Sequence, residues 1–215
     1  MRRSLVLGGL LLLGASAGAE EAAEDDAAKF RVGVNVGIVS LPRLVNLEGY
    51  ARVHPYIGLG GGWSTTPKFA SDAVLRWAGA TSDTTTSSLN EFSGWEVFLR
   101  LFPLRGVFYL GVGFGQQVVD GQVTQLVSGL PLGATGSARV QSWVITPRLG
   151  WQWVWSSGFA LGFEAGVQVT LGHQDTVNLP PGTPPDVIRE TRDLLNFGAS
   201  VPLPVVNFTI GYHFG

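Results

Sequence analysis

Leu44 to Ser64 reads LVNLEGYARVHPYIGLGGGWS, and the fold turns on whether this is one strand or two. Side chains along a strand point alternately to its two faces. From Leu44 to Val53 that alternation puts Leu47, Ala51 and Val53 on one face, with Asn46, Glu48, Tyr50 and Arg52 on the other. From Tyr56 to Ser64 it separates Ile57, Leu59 and Trp63 from Gly58, Gly60 and Gly62. Read as a single strand, the stretch leaves the chain with seven strands. Broken at His54-Pro55, where proline has no donor for a ladder, it gives eight, and a closed sheet that is antiparallel throughout needs an even number.

The same two-residue period recurs on both sides. Phe30 to Leu41 alternates Phe30, Val32, Val34, Val36 and Ile38 with Arg31, Gly33, Asn35 and Gly37 before Pro42-Arg43 ends it. Asn90 to Leu104, Val107 to Val119, Ala138 to Trp155, Phe159 to Gly172 and Val205 to Phe214 follow the same rule. In each, one face is continuously apolar and the other is mostly small or polar, with Phe98, Phe102 and Tyr109 as inward aromatics. Pro147, inside a strand paired on both sides, predicts a bulge at that position.

Eight strands also order the connections. His54-Pro55, Arg105-Gly106 and Ser156 to Gly158 are short and fall at one end; Thr65 to Leu89, Asp120 to Ser137 and His173 to Pro204 are long and fall at the other. Only Pro42-Arg43 is short on the long-loop side. Residues 71–79 and 184–196 of the long loops carry helical patterns, the second with proline in its first turn and Val187, Thr191, Leu194 and Leu195 near one face. Thr81 to Ser88 reads as a mobile polar loop.

Met1 to Ala19 has Arg2 and Arg3, a leucine-rich run and Ala17-Gly18-Ala19, the order of a cleavable signal peptide. Glu20 to Lys29 reads as a flexible acidic tail, and residues 30–215 as one domain. Without Arg2 and Arg3, 12 basic residues face 16 acidic ones, so the net charge is about −4 and nothing points to nucleic acid. The chain has no cysteine, which excludes disulfides and thiolate metal sites. Thirty glycines, seven tryptophans and 14% charged residues, with no long apolar run after the leader, are the composition of a transmembrane β-barrel, and with the strand and loop patterns they give an all-β, eight-stranded antiparallel transmembrane β-barrel with short helices in two extracellular loops.

With its leader, alternating strands, loop asymmetry and aromatic C-terminus, the chain resembles the small bacterial outer-membrane β-barrels of the OmpA and OmpW transmembrane type. The resemblance implies an outer-membrane location, lipid as the solvent of the outer face, and engagement of the barrel assembly machinery by the last strand. Tyr212-x-Phe214 matches the end of that assembly signal, while Gly215 follows the final aromatic and Thr209 stands where the signal usually has glycine.

The inward faces hold few charges. Glu48, Arg52, Glu96, Arg100, Arg148 and Glu164 are three acids and three bases, supplemented by Asn35, and form an inward polar cluster that plugs the interior; of these, Glu48, Glu96, Arg148 and Glu164 lie at depths that let them meet in one layer. A narrow gated pathway through rearranging pairs is the sharper alternative. Trp63 and Trp143 toward one end, with Trp151, Trp153, Trp155, Tyr212 and Phe214 toward the other, predict two aromatic girdles. A lipid or small-molecule binder would instead keep an apolar cavity at the mouth beneath Trp77 and Leu194. An enzyme would bring His173 to Asp175 and to Ser128 or Ser137. His54, His173 and His213 lie too far apart for a metal signal, no cofactor is expected, and a ligand and an oligomeric state are not legible.

Overall fold

The computed structural model describes residues 30–67, 70, 85–125, 135–199 and 202–215. The leader, the acidic tail and the expected helix at 71–79 lie outside them, as do Trp77, Ser128 and the side chain of Leu194.

Eight strands follow in chain order: β1 (Arg31–Leu41), β2 (Val45–His54), β3 (Ile57–Thr65), β4 (Thr85–Leu101), β5 (Phe108–Gln125), β6 (Thr135–Val154), β7 (Phe159–Asn178) and β8 (Leu203–Phe214). A helix, α1 (Pro185–Ala199), lies between β7 and β8. Each strand pairs antiparallel with the next, and β8 returns to β1 from Val32↔Phe214 to Leu41↔Val206, so the sheet is a closed barrel. The chain does turn at Pro55, with His54↔Ile57 closing the hairpin.

Closure removes the edges that an open sheet would expose. It also divides side chains cleanly: Val34, Leu47, Trp63, Val97, Leu110, Phe114 and Ile210 are exposed outside, while Asn35, Glu48, Phe98, Arg100, Tyr109, Gln117 and Glu164 are buried within. Inward glycines make room for the larger groups. A Cβ at Gly113 would overlap the Glu96 carboxylate, and one at Gly150 would overlap the Tyr109 ring.

Several expected boundaries shift. Thr85 to Ser88 belong to β4 rather than to a loop, Asp120 to Gln125 extend β5, Thr135 to Ser137 open β6, and His173 to Asn178 extend β7. The strands β4 to β7 thus rise as a wall well above the β1–β2 turn. Pro147 causes no bulge: Val112↔Pro147 keeps register with β5, and the β6–β7 register is the same at Ile145↔Val169 and Arg148↔Gly166. The missing donor is absorbed as a gap in pairing, and the register shift falls between Trp143 and Val144.

Inside the wall α1 packs foremost on β6 and β5. Val187 and Thr191 are fully buried, and Gly136 of β6 lets the helix approach, because a Cβ there would meet Thr191 Oγ1. Leu195 joins Leu89, Phe92, Val119, Ala138 and Leu203 in an apolar cluster beneath the helix.

Candidate functional site: the barrel interior and its outer bands

An eight-stranded barrel is only wide enough for side chains to fill it, so the inward charges must meet. Arg100 Nη2 donates to Glu48 Oε2 at 2.9 Å and to Glu164 Oε2 at 3.1 Å. Arg148 Nη1 donates to Glu164 Oε1 at 2.8 Å, and Arg148 Nη2 pairs closely with Glu96. The result is an alternating row, Glu48–Arg100–Glu164–Arg148–Glu96, supplied by four strands. Opposite charges at hydrogen-bond distance offset the desolvation that each one suffers.

Neutral donors satisfy further carboxylate lone pairs. Tyr109 Oη donates to Glu164 at 2.8 Å, Asn46 Nδ2 to Glu48 at 2.9 Å, and Asn207 Nδ2 to both Glu48 and Glu164 at 3.2 and 3.3 Å. The Arg100 guanidinium also lies over the rings of Phe98, Tyr109 and Tyr50, at 4.3, 4.8 and 5.3 Å. These rings and Phe102 form a second buried cluster. The row of ions therefore rests on an aromatic layer, and Arg100 belongs to both.

Two of the expected interior residues stand apart. Arg52 does not join the row: its Nη2 donates to the carbonyls of Pro55 and Arg105 at 2.7 and 2.9 Å, and the guanidinium covers Phe102 at 4.1 Å. Arg52 is four residues nearer the short turns than Glu48, and turn carbonyls are the acceptors within reach. Asn35 is buried with its Oδ1 3.1 Å from His213 Nε2, on the side of the row toward the termini. A third base does enter, from the β1–β2 turn. Arg43 reaches across to donate to Gln168 Oε1 at 2.7 Å, beside Phe92 at 5.8 Å. Alternation could not place Arg43, because a turn residue belongs to neither face.

Outside, aromatic rings gather at two heights. Trp63 pairs in register with Trp95, and Trp95 lies 5.9 Å from Trp143, which stacks on Phe114 at 5.3 Å. Toward the short turns, Trp151 contacts Phe108 and Phe163, Trp155 contacts Phe159, and Tyr212 contacts Phe214. Trp153 is on the same outward face of β6. Trp143 and Trp151 are eight residues apart, about 26 Å along a strand and about 20 Å along the axis of a barrel with ordinary tilt. Trp95 was legible as outward but not as a member of the upper band, because only the ladder sets its height.

His173 is a strand residue, not a loop residue. Its Nε2 stands 3.9 Å from Asp175 Oδ1, and both side chains are exposed. Register places it opposite Ser142, which is fully buried, whereas Ser137 lies opposite Asn178. Among the described residues no three His, Asp or Glu side chains converge as a metal site, and no helix is long and apolar enough to cross a membrane.

No protein-family model matches the chain, and no curated protein matches it. Among solved structures, CarO of Acinetobacter baumannii is similar over 85% of this chain and 97% of its own, at 15% identity and a TM-score of 0.48. A major outer membrane protein of Thermus thermophilus is similar over 87% of this chain and 100% of its own, at 14% identity and a TM-score of 0.44. CarO2 of A. baumannii is similar over 86% and 98%, at 12% identity and a TM-score of 0.43. The barrel itself stands on the eight ladders of this chain.

Proposed function

We propose that the protein is an outer-membrane barrel of a bacterial cell envelope, anchored in lipid, with its interior held shut by the ion row and the wall of β4 to β7 raised outside the cell. The observation that carries this reading is the outer surface: a continuous apolar belt bounded by aromatic bands about 20 Å apart, close to the height of a membrane barrel's apolar belt. In water the same surface would be an aggregation patch. The short turns then face the periplasm, where the start of β1 and the end of β8 also lie, and the last strand meets the assembly machinery there. Release of the leader before Glu20 belongs to the same reading.

Fractionation tests it. The full chain expressed in a Gram-negative host is expected in the outer membrane, resistant to carbonate extraction, and with a gel mobility that changes on heating. Recovery as a soluble periplasmic protein would overturn the proposal. A gated pathway through the barrel is the second reading, favoured by the pair Arg148–Glu96 at the end of the row, whose carboxylate side chain is 18% exposed. Planar-bilayer recordings of wild type, Glu96→Gln and Arg148→Gln decide between them: no channel in any of the three removes the pathway.

A further inference from the structure

Between the ion row and the β1–β2 turn the barrel holds a polar chamber of about 40 Å³. That is room for about three waters, given the space that one requires. Ser40, Arg43, Ser64, Glu96, Thr146 and Gln168 are among its walls. Thr146 is buried, and its Oγ1 has no hydrogen-bond partner within the protein. On the periplasmic side the chamber ends at Glu48, Glu164 and Arg148, members of the ion row. On the outer side it ends at the β1–β2 turn, the lowest part of the rim.

Arg43 crosses that outer end. Its backbone is in the turn, yet its guanidinium reaches Gln168 of β7 and lies beside Phe92 of β4, and a Cβ on Gly94 would overlap Nη1. Unlike Arg100 and Arg148, it has no carboxylate within 4.0 Å among the described residues. Among the described residues, one hydrogen bond to a neutral amide and a ring at 5.8 Å hold it. A guanidinium in an ion pair is costly to move from a buried site, whereas this one is tied more lightly, on a long side chain rooted in a turn.

We propose that Arg43 is a movable strap that governs entry of small polar solutes from the extracellular side into this chamber, which the ion row closes off from the periplasm. The proposal rests on the membrane-barrel reading above. Since the chain has no cysteine, single thiols report on each compartment: Thr146→Cys in the chamber and Asn35→Cys beyond the ion row. Each is treated with 2-aminoethyl methanethiosulfonate in folded, detergent-solubilised protein, with Arg43 present and with Arg43→Ala. Heat-dependent gel mobility verifies folding.

The strap predicts slow modification at position 146 with Arg43 in place, at least a tenfold acceleration in Arg43→Ala, and no change at position 35. Equal rates at position 146 with and without Arg43 would overturn it. So would acceleration at both positions, since that reports a loosened barrel and not a removed strap. Rapid modification at both positions with Arg43 present, accompanied by conductance of the wild type, would defeat the closed interior itself. That outcome is distinct from failure of the strap alone.

Discussion

Replacing Arg100 by methionine should be the most costly single change in the interior. The substitution removes the donors at 2.9 Å from Glu48 and 3.1 Å from Glu164, in a site where all three side chains are 3% exposed. Glu164 keeps Arg148 and the Tyr109 hydroxyl, but Glu48 keeps only the amides of Asn46 and Asn207. A buried carboxylate is then left without a counter-charge, which costs about 3–5 kcal/mol. With an m-value of about 2 kcal/mol/M, the urea midpoint should fall by about 2 M. Unfolding from lipid vesicles, followed by tryptophan emission, measures this. The double variant Glu48→Gln/Arg100→Met removes both charges and should recover at least half of the loss, because the uncompensated carboxylate is gone. A loss below about 1 kcal/mol in Arg100→Met would refute the ion row as a structural layer. A double variant no better than the single one would refute the stated cause.

Three further outcomes follow from the same structure. Val112 faces outward opposite Pro147, midway between Trp143 and Trp151; Val112→Arg should cost about 2–4 kcal/mol in vesicles, and Val45→Arg, two ladder pairs above Leu47↔Trp63, no more than about 1 kcal/mol. Equal small effects at both sites would contradict a lipid-solvated outer face. Gly113→Ala should lower stability by about 1–3 kcal/mol by forcing its methyl into the Glu96 carboxylate, whereas Gly49→Ala, whose methyl would meet only Gly61 O at 3.9 Å, should be nearly neutral; the two unfolding midpoints make the comparison. Deleting Tyr212 to Gly215 removes the β8 pairings to Val32, Gly33 and Val34 and the aromatic end of the chain. Export should persist while membrane insertion is lost, and a truncated chain found folded in the outer membrane would show that the last strand carries no assembly signal.

Much of the barrel was legible because its cause is local. A strand between lipid and a packed interior must alternate, so Val34, Trp63, Val97, Phe114 and Ile210 on one side, and Asn35, Glu48, Arg100 and Glu164 on the other, could be read residue by residue. Where neither face is buried in lipid the signal disappears. Thr85 to Ser88, Asp120 to Gln125 and His173 to Asn178 looked like loops for that reason: their polar residues obey no apolar period, yet their backbone groups continue the ladders. Residues 171–178 of β7 are exposed on both faces, and only their pairing with β6 identifies them as strand.

The sequence by itself determined the even strand number, the two faces of each strand and the asymmetry between turns and loops, all consequences of a two-residue period punctuated by proline and glycine. Only the tertiary structure decided partners. Which guanidinium meets which carboxylate depends on the register of the ladders and on stagger across the barrel, and so Arg100 and Arg148 share Glu164 while Arg52 settles on turn carbonyls. The same long-range geometry brings Arg43 from a turn into the barrel, where no periodicity could have placed it.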